Sequence, residues 1–171
     1  MHHFTFYQGS LYCEQQKLSC LGKRYGTPLY VYSAQTIRDN FQRLEAAVIS
    51  LDHLICYAVK ANSNLAILDL LIKLGSWFDI VSGGELYRVL RAGGSAKRCT
   101  FAGIGKTREE ITYALQEGVY CFIVESEAEL ITINEIAGTL GKRAAIAIRV
   151  NPNVDAGTHQ YVTTGRSQNK F

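Results

Sequence analysis

Apolar and polar positions along the chain follow two rhythms, a period of two and a period near that of a helical turn, which replace one another at regular intervals. Short runs rich in β-branched and aromatic residues at Leu54–Val59, Trp77–Val81, Cys99–Ala102, Cys121–Val124 and Ala144–Val150 predict five strands. Helical spacing fills the intervals. Ile37, Phe41, Leu44 and Val48 precede the first of these strands, and Leu86, Val89 and Leu90, then Ile111, Ala114 and Leu115, follow later ones. Ser82-Gly-Gly-Glu85, Thr107-Arg-Glu-Glu110 and Ser126-Glu-Ala-Glu129 each read as a capping box that opens a helix directly after a strand.

The strands end near Lys60, Ser82, Gly103, Glu125 and Asn151, at steps of 22, 21, 22 and 26 residues. Such a βα step predicts an α/β protein with a parallel sheet, and the period alone leaves a closed barrel and an open sheet both standing. The strand chemistry favours a barrel. In Ala145–Asn151 one parity carries Ile146, Ile148 and Val150, the other Ala145, Ala147, Arg149 and Asn151; likewise Ile55, Tyr57 and Val59 oppose Cys56, Ala58 and Lys60. Bulky residues turned towards helices and small ones turned inward leave room for a ligand. Lys60 and Arg149 then face that room from the C-terminal ends of their strands, where the active sites of (β/α)8 barrels lie. Five strands do not close a barrel that needs eight and ~250 residues, so either the sheet is open or the chain is a piece of something longer.

Outside this series, Phe4–Tyr12 reads as a strand or hairpin and Pro28–Tyr32 as a further strand, both assigned to a different sheet. Residues 1–32 are thus expected to belong to a β-rich domain and 33–171 to the barrel. Pro152–Phe171 has turn formers and no periodicity, the mark of a long functional loop.

Composition narrows the function classes. Hydrophobic residues make up 47% of 171 and prolines number two, which excludes a disordered chain. Lys+Arg 18 against Asp+Glu 15 gives a net +3 with no basic run, so a nucleic-acid partner is not expected. MHHFTFYQGS lacks the pattern of a signal peptide, and no apolar run reaches the ~18–20 residues of a membrane span. Five cysteines without CxxC spacing read as buried free thiols in a reducing cytosol, with no metal centre.

Three residues stand out for chemistry. Lys60, ending an apolar strand, is expected to be partly desolvated and available for Schiff-base chemistry, or else to snorkel from the barrel mouth. Asp79, among Trp77, Phe78, Ile80 and Val81, needs a cation or a donor, and a structural ion pair and a catalytic carboxylate both fit. Arg149 needs a carboxylate or a ligand anion. Gly103-Ile-Gly-Lys-Thr107 fails the full P-loop pattern, and His159 in the terminal loop suits ligand contact or plain solvation.

Tyr57-Ala-Val-Lys60-Ala-Asn62 resembles the lysine motif of the pyridoxal-phosphate-dependent, alanine-racemase-like barrel decarboxylases. Ile67, Leu68, Leu71 and Gly75 continue it, and Phe78–Leu86 and Gly103–Thr107 with Glu110-Ile111 look like the next blocks. Ile148–Asp155, Thr158–Tyr161, Thr164-Gly165 and Asn169–Phe171 are similar to the diaminopimelate decarboxylase branch. The resemblance implies decarboxylation of meso-2,6-diaminopimelate to L-lysine, the last step of lysine biosynthesis, in the intact parent protein. It implies pyridoxal 5'-phosphate carried on Lys60, Asp79 and Arg149 beside the cofactor, and His159, Tyr161 and Thr164 in a lid over an amino-acid substrate. It further implies a cytoplasmic homodimer at full length. The family's later histidine, glycine-rich phosphate segment, acidic partner of the pyridine nitrogen and dimer-crossing cysteine would come after Phe171, so this chain reads as an N-terminal portion, inactive and aggregation-prone by itself. An ornithine or arginine decarboxylase, an alanine racemase-like enzyme and a non-catalytic pyridoxal-phosphate-binding barrel are the alternatives.

Overall fold

The computed structural model describes residues 2–154, which divide into two compact units: residues 2–55 with 70–76, and residues 56–69 with 77–154.

In the first unit, β1 (Phe4–Tyr7), β2 (Ser10–Cys13) and β3 (Gln16–Lys17) form an antiparallel sheet in that order, with Phe4 opposite Cys13 and Tyr12 opposite Lys17. The hairpin expected over Phe4–Tyr12 is therefore present, turning through Gln8 and Gly9 at positive φ. Helices α1 (Leu18–Tyr25) and α2 (Ala34–Val48) come next. Ser33 caps α2 by accepting from Thr36 N–H, and the Glu14 carboxylate accepts from Gln35 N–H at 2.9 Å and from Ser33 Oγ at 2.7 Å. The expected strand at Pro28–Tyr32 is absent. Thr27–Pro28 is a cis peptide, the segment joins no ladder, and Tyr30 is 85% exposed. Alternation without a partner strand does not make a strand.

The second unit holds the parallel series. Strands β4 (Cys56–Ala58), β5 (Trp77–Ile80), β6 (Cys99–Phe101), β7 (Cys121–Val124) and β8 (Ile146–Ile148) lie side by side in chain order. Helices α3 (Leu65–Lys73), α4 (Gly83–Arg91), α5 (Arg108–Glu117) and α6 (Glu127–Thr139) alternate with them, α3 running across the boundary of the two units. Parallel strands in sequential order, with α4 packed on α5 and α5 on α6, follow the general right-handed rule for such crossovers, which keeps the helices on one face. This is the winding of a barrel rather than of a doubly wound sheet, so the fold class is α/β, a partial (β/α)8 barrel preceded by antiparallel strands.

Register fixes the two faces. Phe78 pairs with Cys99, Ile80 with Phe101, Phe101 with Phe122, and Phe122 with Ile146. Apart from Ile146 on the edge strand these are buried, together with Leu86, Val89, Ile111, Ala114 and Ile133 from the helices. Phe101 and Phe122 stack at 5.9 Å. Each buried Phe, Leu, Ile and Val among them contributes about 1.5–3 kcal/mol by leaving water. The opposite face carries Cys56, Ala58, Trp77, Asp79, Thr100, Cys121, Ile123 and Ala147 and is half-open. All five cysteines are free, but only Cys13 and Cys99 are buried, and Cys20 and Cys56 are exposed, against the expectation of uniformly buried thiols.

Candidate active site

The C-terminal side of the parallel sheet carries Lys60, Asp79, Glu85, Glu125 and Arg149. Lys60 does not sit in a strand. β4 stops at Ala58 and Val59–Ala61 form a 3₁₀ turn whose Val59 is wholly buried, so the turn is anchored while Lys60 itself is exposed rather than partly desolvated. Two asparagines and a tyrosine hold this turn in shape. Asn62 Oδ1 accepts from Asn64 N–H at 3.0 Å, Asn64 Oδ1 accepts from Ala66 N–H at 2.9 Å to open α3, and Tyr57 Oη donates to Asn62 O at 3.1 Å. Arg88 reaches across from α4 to Ser63 O at 3.1 Å. The loop behind Lys60 is thereby tied at both ends.

Asp79 faces the open side of the sheet. Its register partner Ala58 ends β4, two residues before Lys60, and its Oδ1 accepts from Thr100 Oγ1 at 2.8 Å on the other neighbour. Asp79 therefore points inward and has a donor.

Arg149 comes directly after β8 and continues its ladder, its N–H bonding to Val124 O at 2.9 Å. By parity with Ala147, which pairs with Ile123, its side chain is on the same open face. Its Nη1 lies 3.4 Å from Oε2 of Glu125, a carboxylate of the kind its charge requires.

Two further residues of this rim escape sequence reasoning. Glu85 is half-buried, and its Oε2 accepts from Val81 N–H at 2.9 Å. Burial pushes its carboxyl above the ordinary range and the negative Asp79 adds to this, while the Val81 donor and the cation of Lys60 pull the other way. Glu125 is buried at the end of β7, with Oε1 accepting from Gly103 N–H at 2.9 Å. In the sequence Glu85 shows only as the last residue of a Ser-x-x-Glu pattern and Glu125 only as the end of a strand. All three Ser or Thr caps are present, but only Thr107 and Glu110 close a reciprocal capping box. Glu85 and Glu129 reach one residue further back, to the N–H groups of Val81 and Glu125. Gly103-Ile-Gly-Lys106 turns its lysine inward to carbonyls rather than outward to a phosphate.

His159, Tyr161 and Thr164 lie outside the described residues. Among the described residues no group of His, Cys, Asp and Glu is arranged to hold a metal ion, and no helix is long and apolar enough to cross a membrane.

An exposed amine, an inward carboxylate and a guanidinium at one rim suit a small anionic ligand with an electrophilic carbon. The family described as pyridoxal-dependent decarboxylase, pyridoxal binding domain, matches residues 34–171. The chain belongs to this family. It is 51% identical to a diaminopimelate decarboxylase of Pseudomonas fluorescens and 52% identical to one of Vibrio cholerae, over 100% of its own length and 41% of theirs. The crystal structure of diaminopimelate decarboxylase from Helicobacter pylori complexed with L-lysine superposes with a TM-score of 0.85 at 46% identity, covering 90% of this chain and 39% of that one. The chain thus spans about two-fifths of the length of the relatives it matches. For a pyridoxal cofactor Lys60 offers an amine and Arg149 a cation for anionic oxygen, above an inner face of mixed size that carries Ala58, Thr100 and Ala147 beside Trp77 and Ile123.

Proposed function

We propose that a polypeptide carrying these 171 residues at the relatives' length is a pyridoxal-5'-phosphate-dependent carboxy-lyase that converts meso-2,6-diaminopimelate to L-lysine and CO2. What supports this reading is the placement of Lys60 just after β4, Asp79 in β5 and Arg149 just after β8 of one parallel sheet, in a chain about half identical to proteins bearing that name. When bound, pyridoxal phosphate supplies an electron sink for the pair left behind as the carboxylate departs. The chain's own residues do the rest. Lys60 holds the cofactor through its amine, and its exposure lets an incoming amino group compete for that position. Asp79, fixed by Thr100, keeps a negative charge on the inner face that favours a proton on nearby nitrogen. Arg149 holds anionic oxygen at the opposite side of the rim. His159, Tyr161 and Thr164 close over the substrate, and residues 1–32 join a β-rich domain. The long polypeptide works as a cytoplasmic homodimer, a state that light scattering on the purified protein checks.

The test is release of CO2 from meso-diaminopimelate, ornithine and arginine by that polypeptide with added pyridoxal phosphate. Turnover of diaminopimelate with stoichiometric L-lysine is the expected result. Turnover of ornithine or arginine alone, or racemisation without CO2, would overturn the substrate assignment.

A further inference from the structure

Four charged side chains behind the rim form a hydrogen-bonded line that ends on Arg149. Lys106 Nζ, with its side chain 1% exposed, donates to Gly103 O at 2.7 Å, to Ile123 O at 3.0 Å and to Glu129 Oε1. Glu129 turns its other oxygen to Glu125 N–H at 2.8 Å. Glu125, with its side chain 6% exposed, spends Oε1 on Gly103 N–H and presents Oε2 to Arg149. Gly103 is thus held twice, its carbonyl by Lys106 and its N–H by Glu125, so the carboxylate has little freedom to move.

This line is an awkward way to make the fold stable. Buried ion pairs lose solvation that apolar side chains of the same size would not lose. The two carboxylates and two cations balance, and three of the four groups are out of solvent. The fourth, Arg149, has a side chain 35% exposed on the open face. An arginine has many rotamers, and a half-exposed one keeps a single aim only against a fixed partner. Glu125 is such a partner, a carboxylate held beside Arg149 at the end of the neighbouring strand β7.

We propose that Glu125 is the positioning residue for Arg149, aiming its guanidinium at the anionic part of the cofactor, with Glu129 and Lys106 holding Glu125 in turn. This rests on the reading of the rim as a pyridoxal phosphate site. Glu125 reaches Arg149 through Oε2 and the Gly103 backbone through Oε1, and the positioning effect is the part that passes through Arg149.

The experiment is a double-mutant cycle on cofactor affinity in the polypeptide of the relatives' length, read by equilibrium dialysis of pyridoxal phosphate, with thermal melting alongside. Glu125→Gln keeps an oxygen for Gly103 N–H and removes the charge. It is expected to weaken binding by about tenfold or more, as losing a hydrogen bond to a charged group does. Arg149→Gln weakens it at least as much, and the double variant no further than Arg149→Gln. Glu125→Asp, which keeps the charge, falls between wild type and Glu125→Gln and carries the same cycle where the glutamine variant does not fold. Wild-type affinity in Glu125→Gln, or losses that multiply in the double variant, overturns the positioning role and leaves the cofactor site standing. A wild type that takes up no pyridoxal phosphate overturns both.

Discussion

At the scale of single residues, the rim depends on groups with no room for replacement. Lys106 has its ammonium on three oxygens and out of water, so Lys106→Ala strands the Glu129 carboxylate. A loss of about 3–5 kcal/mol in urea unfolding is expected, and a loss under about 1 kcal/mol would contradict the described network. Gly103 sits at φ +97 with an added Cβ meeting Val81 Cβ at 3.4 Å, so Gly103→Ala should cost about 1–3 kcal/mol from backbone strain. The same scale shows what the sequence can and cannot carry. That Arg149 lies on the inner face is legible, because alternation in β8 has one reading once small residues mark the inner parity; the same alternation does not carry to Lys60, which stands on a turn. The direction of Asp79 is not legible, since Trp77 and Val81 on its parity are as bulky as the residues opposite. Only the pairing with Ala58 and Thr100 settles it. Glu125 is less legible still, because its meaning comes from Gly103, 22 residues earlier, and Arg149, 24 later.

At the scale of elements, helix starts do more than start helices. Thr107 and Glu110 close the capping box of α5 while Glu110 Oε1 also accepts from Gly83 N–H at 2.8 Å, linking two neighbouring βα loops. Thr107→Ala should destabilise by about 0.5–2 kcal/mol, measured by thermal or urea unfolding. In the first unit the carboxylates of Glu14 and Asp39 fasten α2. Gln35 N–H and then Ser33 Oγ hold the Glu14 carboxyl below its ordinary range, and His3 and then Gln35 do so for Asp39, with His3 Nε2 at 2.6 Å. A lowered folded-state value means that the unfolded chain binds protons more readily. The stabilisation is therefore full above the ordinary carboxylate range of about pH 4 and is lost as pH falls through the lowered values. Hydrogen exchange at Gln35 and Thr36 should quicken in that acid range, and Glu14→Gln should flatten the response. An unchanged pH dependence in that variant would contradict it. Element boundaries show where pattern reading fails. Alternation runs unbroken through Val59 and Lys60, yet the backbone leaves the sheet at Ala58, because Asn62 and Asn64 offer turn bonds that compete with the ladder.

At the scale of the whole molecule, five strands in sequential order with helices on one face give a rim of strand ends and an open inner face. The 21–22-residue step between the earlier strands makes that legible. Beyond Val124 the covering thins. β8 is exposed along its length, with Ile148 69% and Val150 77% exposed on the parity that is buried elsewhere in the sheet. Such an edge favours self-association, so the 171-residue chain should form concentration-dependent oligomers in size-exclusion chromatography, and Ile148→Lys should reduce them. The central claim is that the rim takes pyridoxal phosphate through Lys60. The most direct measurement is borohydride reduction of the cofactor-treated polypeptide of the relatives' length, then peptide mapping. A pyridoxyl mass on the peptide carrying Lys60, lost in Lys60→Ala, is the predicted result. Label on another lysine, undiminished by Lys60→Ala, would contradict the account.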